Sequence, residues 1–171
     1  LLTWGAVTYP VAFLVTDTTN RIHGKAAARK VVYVGFGLGV FLSLAAAIGI
    51  ASEAASREDI ALFTALMTNS DAFDMLRIAL ASGTAFLVGQ MLDVAIFDRL
   101  RTATWWKAPT VSSFFGSISD TAIFFSLAFA GTGLPWMNWA VGDFCAKLLM
   151  VALLLYPFRL MVNCYPSRLE S

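Results

Sequence analysis

The sequence predicts an all-α integral membrane protein: a bundle of about six transmembrane helices, five of them within these 171 residues. Hydrophobic residues make up 58% of the chain and charged residues 13%, whereas a soluble domain carries about 25% charge. Mean hydropathy is +0.73. The apolar residues fall in blocks of roughly twenty, the length a helix needs to cross a bilayer. Basic residues gather at the ends of the blocks. A transmembrane β-barrel is excluded, because its strands alternate apolar and polar residues over about ten positions. Residues 1–171 read as a single transmembrane helical domain.

The first span runs from Leu1 to Asn20 and is followed by "RIHGKAAARK", with Arg21, Lys25, Arg29 and Lys30. Val31 to Ala51 form the second span. Ser52–Asp74 is an acidic connection carrying Glu53, Glu58, Asp59, Asp71 and Asp74 against Arg57, and within it "IALFTALM" suits a short surface helix. Met75–Phe97 is the third span, closed by "DRLRTATWWK" with Arg99, Arg101 and Lys107. The fourth starts behind Pro109 and ends near Ala130, where "GTGLPWMN" predicts a tight turn. Trp139–Leu160 form the fifth, and a short tail holds Arg168.

Lys and Arg mark cytoplasmic loops. Their distribution places the connections after spans one and three, and the C-terminus, in the cytoplasm. The start of the chain then lies outside, so a further helix ahead of Leu1 is expected. Leu1 opens directly into apolar sequence with no basic region, so no cleavable signal peptide is read. Trp105 and Trp106 beside Lys107 suit an interfacial aromatic belt, with stacking on a flat solute as the alternative.

Several functions are excluded or disfavoured. A net charge of +1 gives no sign of nucleic-acid binding. Cys145 and Cys164 are too few and too widely spaced for a metal site or a disulfide framework. His23 is the single histidine, which rules out the His-Glu-x-x-His metalloprotease pattern. Neither an enzyme nor a bound cofactor is expected. No Gly-x4-Gly-Lys-Ser/Thr phosphate loop is present, so the chain does not hydrolyse ATP by that route.

The informative residues are acids inside the spans: Asp17, Asp93, Asp120 and Asp143. A charge at a helix centre costs about 2.5–3.5 kcal/mol on insertion scales, so four of them point to a shared polar interior. Asp17 precedes Arg21 by four, and Asp143 precedes Lys147 by four, so each pair shares a helix face. These pairs read as ion pairs or as coupling groups. Gln90 precedes Asp93 by three. Ser113, Ser117, Asp120 and Thr121 form a polar stripe, widened by Ser112, Gly116 and Ser119. Small residues at this spacing let helices approach closely, so the fourth span is expected at the centre of the bundle. A midplane polar cavity built from several helices is what a transporter needs. Gln90, Asp93, Asp120, Thr121, Ser117 and Asp17 are the candidate solute-binding residues. A carboxylate among them is also a candidate carrier of a coupling proton. The alternative is a substrate-binding membrane subunit energised by a separate ATPase.

"TYPVAFLVTDTTNRIHG", "GQMLDVAIFDRLR", "WWKAPTVSSFFGSISDTAIFF" and "DFCAKLLMVALLLYP" together resemble the VUT family of bacterial inner-membrane queuosine-precursor transporters. The resemblance covers nearly the whole chain. It implies a six-helix, standalone carrier of 7-cyano-7-deazaguanine or 7-aminomethyl-7-deazaguanine, in the lipid bilayer and open to homo-oligomerisation. It also implies that the family's first helix is missing ahead of Thr3. The guanine-like edge of such a base offers donors to a carboxylate, and Gln90 offers both a donor and an acceptor. Phe114, Phe115 and Trp136 are the candidate aromatic cover.

Overall fold

The computed structural model describes residues 4–58, 61–64 and 70–164. It contains five long helices: α1 (Trp4–His23), α2 (Lys25–Glu58), α3 (Ser70–Leu100), α4 (Lys107–Phe129) and α5 (Trp136–Cys164). No strand occurs among the described residues. A membrane-type helical bundle accounts for this pattern. Four helices, α2 to α5, are long and apolar enough to cross a membrane. The first expected span, α1, falls outside that set; Thr16, Asp17, Thr18, Thr19 and Asn20 make its second half polar.

The helices outrun the expected spans. α2 continues past Ala51 to Glu58, through "ASEAASRE", whose Ala and Glu residues favour helix. Arg57 and Glu53 form an exposed ion pair at 2.5 Å one turn apart within it. α3 begins at Ser70, five residues before Met75. Of the expected surface helix over "IALFTALM", residues 62–64 are helical, and half of the segment, residue 60 and residues 65–67, lies outside the described residues. A single residue separates α1 from α2, namely Gly24 at φ 85, a left-handed conformation that glycine adopts without steric cost. Its N–H donates to the Asn20 carbonyl at 3.0 Å, which closes α1.

α1 packs against all four other helices. The most extensive packing joins α3 to α4, with α2 laid on α3, and α5 on α1 and α4. Large apolar side chains such as Val34, Phe41, Leu80, Leu149, Leu153 and Tyr156 are exposed, while Asp17, Gln90, Asp93, Asp120, Asp143 and Lys147 are buried. That inversion suits a lipid surround and a polar interior. Two small apolar clusters close the end of the bundle near Gly24: Ala28 with Val32 and Val94, and Phe97 with Ala108 and Phe158.

Lipid tails are as apolar as leucine, so close packing replaces hydrophobic expulsion as the force between helices. Among the described glycines, two make the closest approaches. A Cβ on Gly116 would stand 2.9 Å from the Phe13 ring and 3.2 Å from the Asp93 Cβ. One on Gly89 would stand 3.1 Å from the Asp120 Cβ. Gly116→Val should therefore lower the melting midpoint in detergent, at an overpacking cost of about 1–3 kcal/mol. Gly37→Val, with nothing within 4 Å, should leave it unchanged. Equal midpoints for the two variants would show that the α1–α3–α4 contact is not tight.

Candidate functional site

The buried polar residues form two groups on opposite ends of one α4 face. The first is centred on Lys147 of α5. Its ammonium lies 2.6 Å from Asp120 Oδ2 and 2.5 Å from Asp143 Oδ2. It also donates to Thr121 Oγ1 at 3.0 Å, and Thr121 donates to Asp143 Oδ2 at 3.1 Å. The four residues thus close a network between α4 and α5. The ring of Tyr9, from α1, faces the ammonium at 5.1 Å, within cation–π range. Tyr9 Oη donates to the Ser82 carbonyl on α3 at 3.4 Å.

A cavity of about 200 Å³ opens on this group, lined by Tyr9, Ile78, Ser82, Asp120, Phe124, Asp143 and Lys147. Two of its walls are aromatic and three are charged. Asp120 Oδ1 makes no hydrogen bond of good geometry within the protein, although the Tyr9 hydroxyl lies close enough to act on this carboxylate, so one acceptor of the network is open to a solute. An apolar cavity of about 280 Å³ lies between α2 and α3 and shares Tyr9 and Ser82 with the polar one.

The second group joins α1, α3 and α4. Thr16 donates to Gln90 Oε1 at 3.0 Å, Ser113 donates to Asp17 Oδ2 at 3.4 Å, and Asn20 donates to the Val94 carbonyl at 3.1 Å. Asp93 neighbours Asp17, Ser112 and Ser113. Both Asp93 oxygens, Asp17 Oδ1, Gln90 Nε2 and Ser117 Oγ are buried without a partner. Among the described residues no cation is paired with either carboxylate.

The expected residues therefore separate. Asp120 and Thr121 join Asp143 and Lys147 in the first group, while Gln90, Asp93 and Asp17 form the second. Ser117 is buried on α4 between them. The four-residue spacing yields an ion pair for Asp143 and Lys147 but not for Asp17 and Arg21. Arg21 Nη1 instead donates to the Arg101 carbonyl, because its position near the end of α1 lets it reach the end of α3. The aromatic cover also differs. Phe114 and Phe115 are partly exposed, at 39% and 46%, and neither they nor Trp136 lines the cavity, where Tyr9 and Phe124 stand instead. Tyr9 gives no sequence signal of its own, since tyrosines near helix ends are ordinary interfacial residues.

Removing Lys147 would leave Asp120 and Asp143 buried without their cation. Breaking a buried pair in this way costs about 3–5 kcal/mol, so Lys147→Met should unfold at a markedly lower temperature. Exchanging Asp143 and Lys147 should not restore stability, because residue 147 would then present a carboxylate to Asp120. Full recovery by the exchange, read from the melting midpoint, would show that Asp120 is not part of the network.

Proteins with similar sequences share one description. The chain is 42% identical over 161 residues to a "Probable queuosine precursor transporter" of Haemophilus influenzae, covering 91% of this chain and 66% of that protein. It is 35% identical to the "Queuosine precursor transporter" of Escherichia coli, covering 99% of this chain and 76% of that protein. A "Probable queuosine precursor transporter" of Bacillus subtilis is 32% identical, with 91% and 69% covered. The chain thus spans about two thirds to three quarters of these relatives' lengths. No solved structure matches it. The family described as "Putative vitamin uptake transporter" matches residues 3–162, nearly the whole chain, and the chain belongs to that family.

Proposed function

We propose that this chain forms the transport core of an importer of queuosine precursors, 7-cyano-7-deazaguanine or 7-aminomethyl-7-deazaguanine. The carrying observation is the cavity of about 200 Å³ with Asp120, Asp143 and Lys147 on its wall and Tyr9 and Phe124 beside them. It is smaller than the usual pocket for a drug-sized ligand, about 300–1,000 Å³, and suits a single fused bicyclic base. The unused Asp120 Oδ1 accepts from the ring N–H and exocyclic amine of such a base. The aromatic side chains offer faces for its ring. The shared description of the relatives supports the same solute class.

The second group suits ion coupling. Neighbouring buried carboxylates without a cation are suited to take up and release a proton, and Asp17 and Asp93 are such a pair. On this reading the protein imports by proton coupling and needs no ATPase. α1 crosses the bacterial inner membrane with the other four helices, its polar half shielded by all of them. The positive-inside pattern then places the C-terminus in the cytoplasm.

Cells unable to make the precursors provide the test. Asp120→Asn should cut uptake of labelled base at least tenfold while the protein still accumulates in the membrane; normal uptake would remove Asp120 from the path. In liposomes, a proton gradient should accelerate uptake by the native protein, and Asp93→Asn should abolish that acceleration. An Asp93→Asn protein that still responds to the gradient would place coupling elsewhere, and uptake only with an added ATPase would favour the subunit reading.

A further inference from the structure

A different charged arrangement lies where α1 turns into α2 and where α3 ends, outside the lining of either cavity. Arg21 and Arg101 hold each other's backbone. Arg21 Nη1 donates to the Arg101 carbonyl, and Arg101 Nη2 donates to the Arg21 carbonyl at 3.3 Å. Arg101 Nη1 lies against the corner at Gly24, 3.5 Å from the place a Cβ would occupy. The charge on Arg101 is near enough to act on Arg21. Two guanidinium groups thus sit together, and among the described residues neither is paired with a carboxylate. Asp98, the nearby acid of α3, is engaged by Lys25 at 3.5 Å.

The carbonyls at the two helix ends offset part of the repulsion, yet they occupy few of the guanidinium donors. Arg101 Nε is buried and has no acceptor. Donors left over on two adjacent guanidiniums suit an anion with several acceptor oxygens. The level of the site narrows its nature. Trp105 and Trp106 follow closely on Arg101, with Arg159 over the Trp105 ring at 4.9 Å and Lys107 by the Trp106 ring at 6.0 Å. Tryptophans with basic partners settle at the headgroup level of a bilayer. Guanidinium forks match phosphate oxygens bidentately, and phosphate is the anion that every phospholipid headgroup carries at this level.

We propose that Arg21 and Arg101 form a phosphate-binding site, filled in the membrane by the headgroup of an anionic phospholipid. The protein in detergent, examined by native mass spectrometry, should retain one phosphatidylglycerol and release phosphatidylcholine. Arg21→Gln with Arg101→Gln should weaken that binding about thirtyfold, the worth of two basic residues at a membrane surface. Arg29→Gln with Lys30→Gln removes the same charge from exposed positions and should leave the binding largely intact. Inorganic phosphate without lipid, if it stabilises the native protein but not the Arg21/Arg101 variant, would confirm the site and identify a free anion as its ligand. Equal loss in both double variants would overturn the site as a mere share of the basic surface. So would a titration of the native protein that never saturates, a readout that stands even if the arginine variant fails to fold.

Discussion

The whole interior is organised around one buried ammonium. Lys147 is 3% exposed and touches Asp120 on α4, Asp143 on its own helix and Thr121 between them. An isolated charge in the hydrocarbon region is costly, and the attraction of a buried pair offsets that cost only with good geometry and satisfied donors. α4 and α5 must therefore meet in one register, with Tyr9 of α1 held over the ammonium. A slip of one residue along either helix would rotate an acid away from its cation by about 100°.

That register rests on glycine. α3 and α4 approach through Gly89 and Gly116, each so close that the neighbouring helix fills the place of a Cβ. Asp93 stands at one of these contacts and Asp120 at the other. The same α4 face then carries Ser113 toward Asp17 of α1 and Thr121 toward Asp143 of α5. Eight residues separate the two serine and threonine positions, a rise of about 12 Å along the helix. The interior is thus one continuous polar face with two stations. One contains a cation and a cavity. The other contains two acids and several unpaired polar atoms. Small residues, by admitting close backbones, keep lipid out of both.

Much of this was legible in the sequence because burial of polar groups leaves a period. Ser113, Ser117, Asp120 and Thr121 recur at helical spacing, and the structure buries all four. The choice of partner was less legible. Spacing by four places two side chains on one face, but it does not say what lies opposite. For Asp143 and Lys147 nothing better competes; for Arg21 the carbonyl of Arg101 on another helix does. The aromatic wall was hidden for a related reason. Fourteen phenylalanines dilute any single choice, and lipid accepts Phe114 and Phe115 as readily as a ligand would. Helix ends lie beyond the expected spans because charged residues end an apolar block without ending a helix. Glu53 and Arg57 instead sit comfortably in an exposed extension of α2.

The unequal charge of the two stations bears on which precursor the proposed importer would hold, and where. A neutral base would bind Asp120 through Oδ1, which Lys147 does not use, so Lys147 would keep both of its acids and the network would survive occupancy. A solute bearing its own ammonium meets a different field. Near Lys147 it is repelled by a like charge that cannot move without unpairing two buried carboxylates. Asp17 and Asp93 have no cation of their own, but about 12 Å of α4 and the closed Gly116 contact separate them from the cavity, so they would not receive that ammonium. An aminomethyl group would therefore have to point away from Lys147, and a cyano group would be free of that constraint. Discrimination between the two precursors would then be an electrostatic effect, set by where the chain has placed its single buried lysine.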